Sequence, residues 1–129
     1  MVLIDTSSWS QSLRRVGDAV VRERVRKLVL SGDAAWCDMV RVELWNGVSG
    51  DHEKRQLREF DEALTCFSID KPVWDLACAI SRFARSHSVT VPNADLVIYA
   101  CARHHDVEIE HSDRHFDALK ALKLNIRTL

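Results

Sequence analysis

Four acidic residues, Asp5, Glu43, Asp95 and Asp113, stand where carboxylates could do chemistry in this 129-residue chain. Asp5 ends the apolar run Val2-Leu3-Ile4 and opens Asp5-Thr6-Ser7-Ser8. A hydrophobic strand that runs straight into a carboxylate carries that charge at its C-terminal end, where open α/β sheets bind their ligands. At about 100° per residue, Glu43 projects between Met39 and Val40 while Arg41 points away. A glutamate within an apolar arc is costly to bury unpaired. Asp95 heads Leu96-Val97-Ile98-Tyr99-Ala100-Cys101-Ala102, which is apolar on every side and marks a helix buried in the domain. Asp113 follows the alternating stretch Val107–Glu110.

Each acid also has a plainer reading. Asp5 and Asp113 suit the N-caps of the helices that follow them. Glu43 suits a buried ion pair with an arginine, and Asp95 gains roughly 0.3–1 kcal/mol from a helix dipole. What favours chemistry is their combination, because the strand ends of a parallel sheet point to one edge. Four carboxylates in one cleft raise each other's pKa unless positive charge intervenes. Hard oxygen ligands with open positions suit Mg²⁺ or Mn²⁺. Such a site can activate water and stabilise the leaving oxygen of a phosphodiester, so metal-assisted hydrolysis of nucleic acid is the natural chemistry. Thr6, Ser7 and Ser8 serve either a helix cap or a ligand shell, and Asn93 brings a second polar group near Asp95.

The elements that must position these residues alternate as strand and helix, which favours an α/β fold with a mainly parallel sheet. Residues 2–5 read as a strand, Val16 to Leu30 as a helix and Ser31-Gly32-Asp33 as a turn. Ala34 to Cys37 reads as a buried strand, followed by helices from Asp38 to Trp45 and over 52–64. Cys66 to Ile69 is a short strand. Pro72 suits the first turn of the next helix, and Pro92 opens one that runs to His104. Val107 to Glu110 alternates like a strand, 115–122 reads as a short helix, and Leu124 to Leu129 as a last strand.

Hydrophobic residues make up 47% and charged residues 29%, a globular balance, and the net charge of −1 offers no bulk footprint for a polyanion. Local Lys and Arg contacts with phosphates remain open to such a chain. No basic leader or long apolar span is visible, which points to a soluble cytoplasmic domain. Cys37, Cys66, Cys78 and Cys101 form no Cys-x-x-Cys pair and read as free thiols. His104, His105, His111 and His115 cluster in sequence without a zinc motif. Arg14, Arg15, Arg22, Arg24, Arg26 and Lys27 form a basic stretch that reads as a solvated face. Trp9, Trp36, Trp45 and Trp74 lie on or beside apolar patterns and read as packing. The phosphate-loop and dinucleotide glycine motifs are missing from the sequence.

Four segments, Val2-Leu3-Ile4-Asp5-Thr6-Ser7, Val40-Arg41-Val42-Glu43-Leu44 with Gly47, Pro92 through Ala100, and His111-Ser112-Asp113-Arg114-His115-Phe116, resemble the PIN domain. The resemblance is greatest to the short VapC-type toxins, and with their spacing the segments cover nearly the whole chain. It implies one domain over residues 1–129, a three-layer α/β/α fold with a central, mainly parallel sheet of about five strands. It further implies a Mg²⁺- or Mn²⁺-dependent endoribonuclease, the toxin of a VapBC-type pair, that hydrolyses RNA by metal-activated water. Asp5, Glu43 and Asp95 match the three core acids of that family, Asp113 the more variable fourth, and Thr6 or Ser7 the hydroxyl beside the metal. The partners implied are RNA, a VapB-like antitoxin whose tail blocks the acidic pocket, and a second copy of the chain. Two departures stand out: His111 where relatives often have threonine, and His115 where many have a second aspartate. Two other readings fit the same segments, a PIN-like module that binds RNA or protein without cutting, and an RNA-processing nuclease with no antitoxin.

Overall fold

The computed structural model describes every residue except Arg15, so the part of the basic stretch that falls on Arg15 lies outside the described residues. Among the described residues four strands form one parallel sheet: β1 (Val2–Ile4), β2 (Ala34–Cys37), β3 (Thr65–Phe67) and β4 (Glu108–Glu110). Their order is β3-β2-β1-β4. Leu3 lies beside Ala35 on one side and Ile109 on the other. The chain therefore builds outward from β1 in one direction through β2 and β3, then returns to place β4 on the opposite side of β1. Such a reversal opens a crevice at the C-terminal ends of the two strands that flank it, here β1 and β4.

Helices cover both faces of the sheet. All four residues of β2 are buried, which only a strand packed on both sides can be. Trp36 meets Trp9 and Phe60 in a three-ring cluster, with centroids 6.5 and 6.1 Å away. The next residue, Cys37, points to the other face, where its thiol lies beside Cys101. Trp9 belongs to α1 (Thr6–Leu13) and Phe60 to α4 (Gly50–Ala63), whereas Cys101 belongs to α6 (Asn93–His104). Beside α6 runs α5 (Lys71–Ser86), which buries Val73, Ala77, Ile80 and Ala84 along one stripe at helical spacing. The α6 helix is buried from Asp95 through Ala102, as its uniformly apolar sequence requires.

Local signals set the boundaries. The expected helix from Val16 begins instead at Ala19, because the Asp18 side chain accepts from the Val20 and Val21 N–H groups and caps α2 (Ala19–Leu30). The chain leaves α2 through Gly32 at φ +78°. Asp38 opens α3 (Asp38–Asn46) and pairs with Arg41, while Asp113 caps α7 (Arg114–Ala121). The expected strand at Leu124–Leu129 is a 3₁₀ turn at Ile126–Thr128. The Asn125 side chain accepts from the Arg127 N–H there, and this local bond closes the turn in place of a sheet ladder. The sheet accordingly has four strands where about five were expected.

Candidate active site

The crevice at the β1–β4 reversal receives a carboxylate from each of four segments. Asp5 leaves β1 directly and caps α1, so its backbone follows from the shortest of links. Its Oδ2 accepts from the Ser7 N–H at 3.0 Å and the Ser7 hydroxyl at 2.6 Å. Asp5 Oδ1 is buried without a hydrogen-bond partner, in a residue only 3% exposed. The cap reading of Asp5 is thus met by one oxygen, and the other is left available to the crevice.

Glu43 lies on α3 behind β2 and is half-buried. Its Oε1 accepts from the Thr6 hydroxyl at 2.7 Å, which ties α3 to the start of α1. Among the described residues no arginine pairs with Glu43, and Arg41, on the far side of the helix, binds Asp38 and Asp61. Asp95, in the first turn of α6, is 8% exposed, and its Oδ2 has no hydrogen-bond partner. Asp113 follows β4; its Oδ1 accepts from the His115 N–H at 2.9 Å. The His115 ring closes the group, with Nδ1 2.9 Å from Asp113 Oδ1 and 3.1 Å from Asp95 Oδ2. Neither contact is aligned as a hydrogen bond, so Nδ1 too is left unsatisfied.

The electrostatics agree with convergence. Burial raises the Asp5 carboxyl above its ordinary range; the Ser7 bonds oppose this and the Asp113 charge adds to it. Burial likewise raises Glu43, opposed by Thr6 and reinforced by Asp5 and Asp113. Asp95 is pushed to about 6, first by burial and then by the charges of Asp113 and Asp5. For Asp113 burial is the largest influence and raises it, but the His115 backbone N–H and ring together bring it below the usual carboxylate value. One acid shifted down while its neighbours are shifted up is what repulsion in a shared cleft produces.

Asn93 is the expected residue that the structure leaves apart. It is exposed at the start of α6 and lines a different cleft with Ser81, Arg85 and Thr90. Two contributors, Ser112 and Glu110, were not singled out by the sequence. Ser112 donates its N–H to the Ser7 hydroxyl at 2.9 Å, which joins the loop after β4 to the loop after β1. Ser8 is fully buried and donates to Glu110, which Arg24 also binds. Glu110 pairs with residues more than eighty positions away, and only the sheet register brings it there. His115 had a legible signal: it follows Asp113 by two residues on the first turn of a helix. The other histidines disperse, His105 reaching the Ser68 carbonyl and His111 accepting the Asp113 N–H.

Asp95, Asp113 and His115 each offer a ligand atom, all within 4.8 Å of one another. Two buried carboxylate oxygens without partners and a nitrogen between two acids form a donor set that a divalent cation fits. Arg103, Lys120 and Lys123 line a cavity of about 360 Å³ beside β4, which also reaches His111.

Comparison with known proteins agrees with this architecture. The PIN domain family pattern matches residues 2–122. A VapC ribonuclease of Mycobacterium bovis is 33% identical over 92% of this chain and 91% of its own length. Ribonuclease VapC11 of Mycobacterium tuberculosis matches to the same extent, 33% over 92% and 91%. Among solved structures, FitAcB from Neisseria gonorrhoeae superposes with a TM-score of 0.70 at 22% identity over the whole of both chains. VapBC2 from Rickettsia felis, bound to a DNA fragment from its promoter, superposes at 0.72 with 15% identity over 88% and 89%. A reversed parallel sheet, acids gathered at its C-terminal edge and a match across 2–122 place the chain in the PIN-domain family, in its VapC-type branch.

Proposed function

We propose that this chain is an endoribonuclease acting as the toxin of a VapBC-type pair, with Asp5, Glu43, Asp95 and Asp113 holding Mg²⁺ or Mn²⁺. The observation that carries the reading is the pair of buried, unpartnered oxygens, Asp5 Oδ1 and Asp95 Oδ2, on separate elements facing one crevice. Leaving such groups unsatisfied costs about 1–3 kcal/mol each, more when charged, and a folded chain retains them where a ligand completes them. A divalent cation bound there supplies water activation and offsets charge on the phosphodiester. The chain's own part is positional. Ser7 fixes Asp5, Thr6 fixes Glu43, and the α7 cap fixes Asp113.

The VapC ribonucleases that match at 33% identity support RNA as the substrate and a VapB-like antitoxin as the partner. A homodimer belongs to the same reading. No helix among the described residues is long and apolar enough to cross a membrane, and the cytoplasm is the compartment this reading calls for.

Purified protein is incubated with single-stranded and structured RNAs in Mg²⁺, in Mn²⁺ or in EDTA, beside Asp5→Asn and Asp95→Asn. Cleavage by the wild type alone, and only with metal, is expected, the variants losing at least about a hundredfold. Equal cleavage by the variants, or cleavage in EDTA, overturns the reading. Growth arrest on expression, with a short reading frame immediately upstream that encodes a DNA-binding antitoxin, is the expected sign of a toxin. Harmless overexpression would favour an RNA-processing role.

A further inference from the structure

Among the described residues, His115 is the one that brings a ring nitrogen between two of the clustered acids, and its position bears on which ion the cluster selects. Nδ1 is 2.9 Å from Asp113 Oδ1 and 3.1 Å from Asp95 Oδ2. Adjacent ligands of an octahedral ion are separated by √2 times the bond length, about 3.0 Å for bonds of about 2.1 Å. Both contacts have that edge length, while neither has the alignment of a hydrogen bond. The ring is held there by the backbone, because His115 lies one residue inside the helix that Asp113 caps and donates its own N–H to Asp113 Oδ1. Independent of the cluster's acidity, Asp95 aims a buried, unpartnered Oδ2 at the same point, and Asp5, only 3% exposed, leaves Oδ1 unpartnered in the same crevice.

We propose that His115 Nδ1 is a metal ligand together with Asp95 and Asp113, making this an oxygen–nitrogen site that favours transition ions such as Mn²⁺ and Co²⁺ over Mg²⁺. The proposal rests on the metal-site reading above and sharpens it to the choice of ion. Mg²⁺ demands oxygen donors and dehydrates reluctantly, whereas affinity for imidazole rises along the first transition series. The same contacts could describe a charged imidazole that sits between two carboxylates and competes with the ion. The two arrangements differ in sign. Removing a ligand weakens binding, and removing a competitor strengthens it.

The test is metal binding by the full chain, read by calorimetry with MnCl₂, CoCl₂ and MgCl₂ and by pulsed electron paramagnetic resonance of the Mn²⁺ complex. Wild type is compared with His115→Ala, His115→Gln and His115→Asp, with circular dichroism to establish folding. Wild type should show a ¹⁴N hyperfine coupling that all three variants lose. Losing even an outer partner of a metal ligand costs 10–100-fold, so His115→Ala and His115→Gln should weaken Mn²⁺ and Co²⁺ by at least about tenfold and Mg²⁺ far less. His115→Asp should bind Mg²⁺ better than His115→Ala does without recovering Co²⁺. Metal bound with no ¹⁴N coupling, or bound as tightly or more tightly by His115→Ala, overturns the ligand role of His115 alone. Wild type that binds no divalent ion, or binds it unchanged in Asp95→Asn, overturns this inference and the metal site beneath it together.

Discussion

Ser7 is the residue on which the geometry of the site turns, although it carries no charge. Its hydroxyl donates to Asp5 Oδ2 and accepts the Ser112 N–H, so one oxygen atom links the end of β1 to the loop after β4. The first bond holds Asp5 in the orientation that leaves Oδ1 free, and the second keeps the loop bearing Asp113 close. Ser7→Ala should destabilise the fold by about 1.5–3 kcal/mol, the range for a hydrogen bond to a charged group. It should also weaken metal binding about 10–100-fold, as loss of a group that orients a ligand does. Denaturation and Mn²⁺ titration of the variant read the two effects. Unchanged metal affinity would mean that Asp5 is oriented by the Ser7 N–H alone. Thr6 stands in the same relation to Glu43, but with a single bond, so Thr6→Val should cost less.

Asp5, Asp95 and Asp113 were legible in the sequence because each marks a boundary between an apolar run and a polar one, and a boundary has a position in any α/β fold. Glu43 was legible through helical periodicity, and Asn93 misled because proximity in sequence does not choose a helix face. Links such as Ser8–Glu110 and Ser7–Ser112 were not legible, since they depend on which strands become neighbours. The same limit explains the lost fifth strand. Leu124–Leu129 has an acceptable strand composition, but Asn125 closes a local turn before a ladder can form. Between α1 and α2 the periodicity ran on through a break it could not register, at Gly17 and Asp18. A Cβ at Gly17 would lie 2.0 Å from the Gln11 carbonyl oxygen, a backbone atom that cannot swing aside. Gly17→Ala should therefore force α1 and α2 apart and cost about 1–3 kcal/mol, the usual range for overpacking. Asp18→Ala removes only the cap and should cost about 1 kcal/mol. Urea denaturation of both separates the two causes, and a Gly17→Ala variant as stable as wild type would show that the turn relaxes freely.

At the scale of the whole molecule, the acid cluster works against folding unless a cation is present, and this can be read as a dependence of stability on pH. Asp95 titrates near 6 in the folded chain against an ordinary value of 3.8, with Asp5 and Glu43 raised in the same direction. The folded state then binds the proton more tightly than the unfolded state. Between about pH 4 and pH 6 the unfolded chain has lost protons that the folded chain keeps, so metal-free stability falls as pH rises through that window. Above it the Asp95 contribution is flat. Asp95→Asn removes the charge that must be buried. In EDTA at pH 7.5 the variant should be more stable than wild type by on the order of 1–3 kcal/mol, and the two should converge near pH 4. Saturating Mn²⁺ should reverse the order, because a ligand at a hundred times its Kd adds about 2.7 kcal/mol to the state that binds it. Thermal denaturation of both proteins across pH, with EDTA and with Mn²⁺, supplies the four curves. A wild type more stable than Asp95→Asn in EDTA would mean that burial and repulsion at the crevice have been offset within the chain, leaving no unmet demand for a cation.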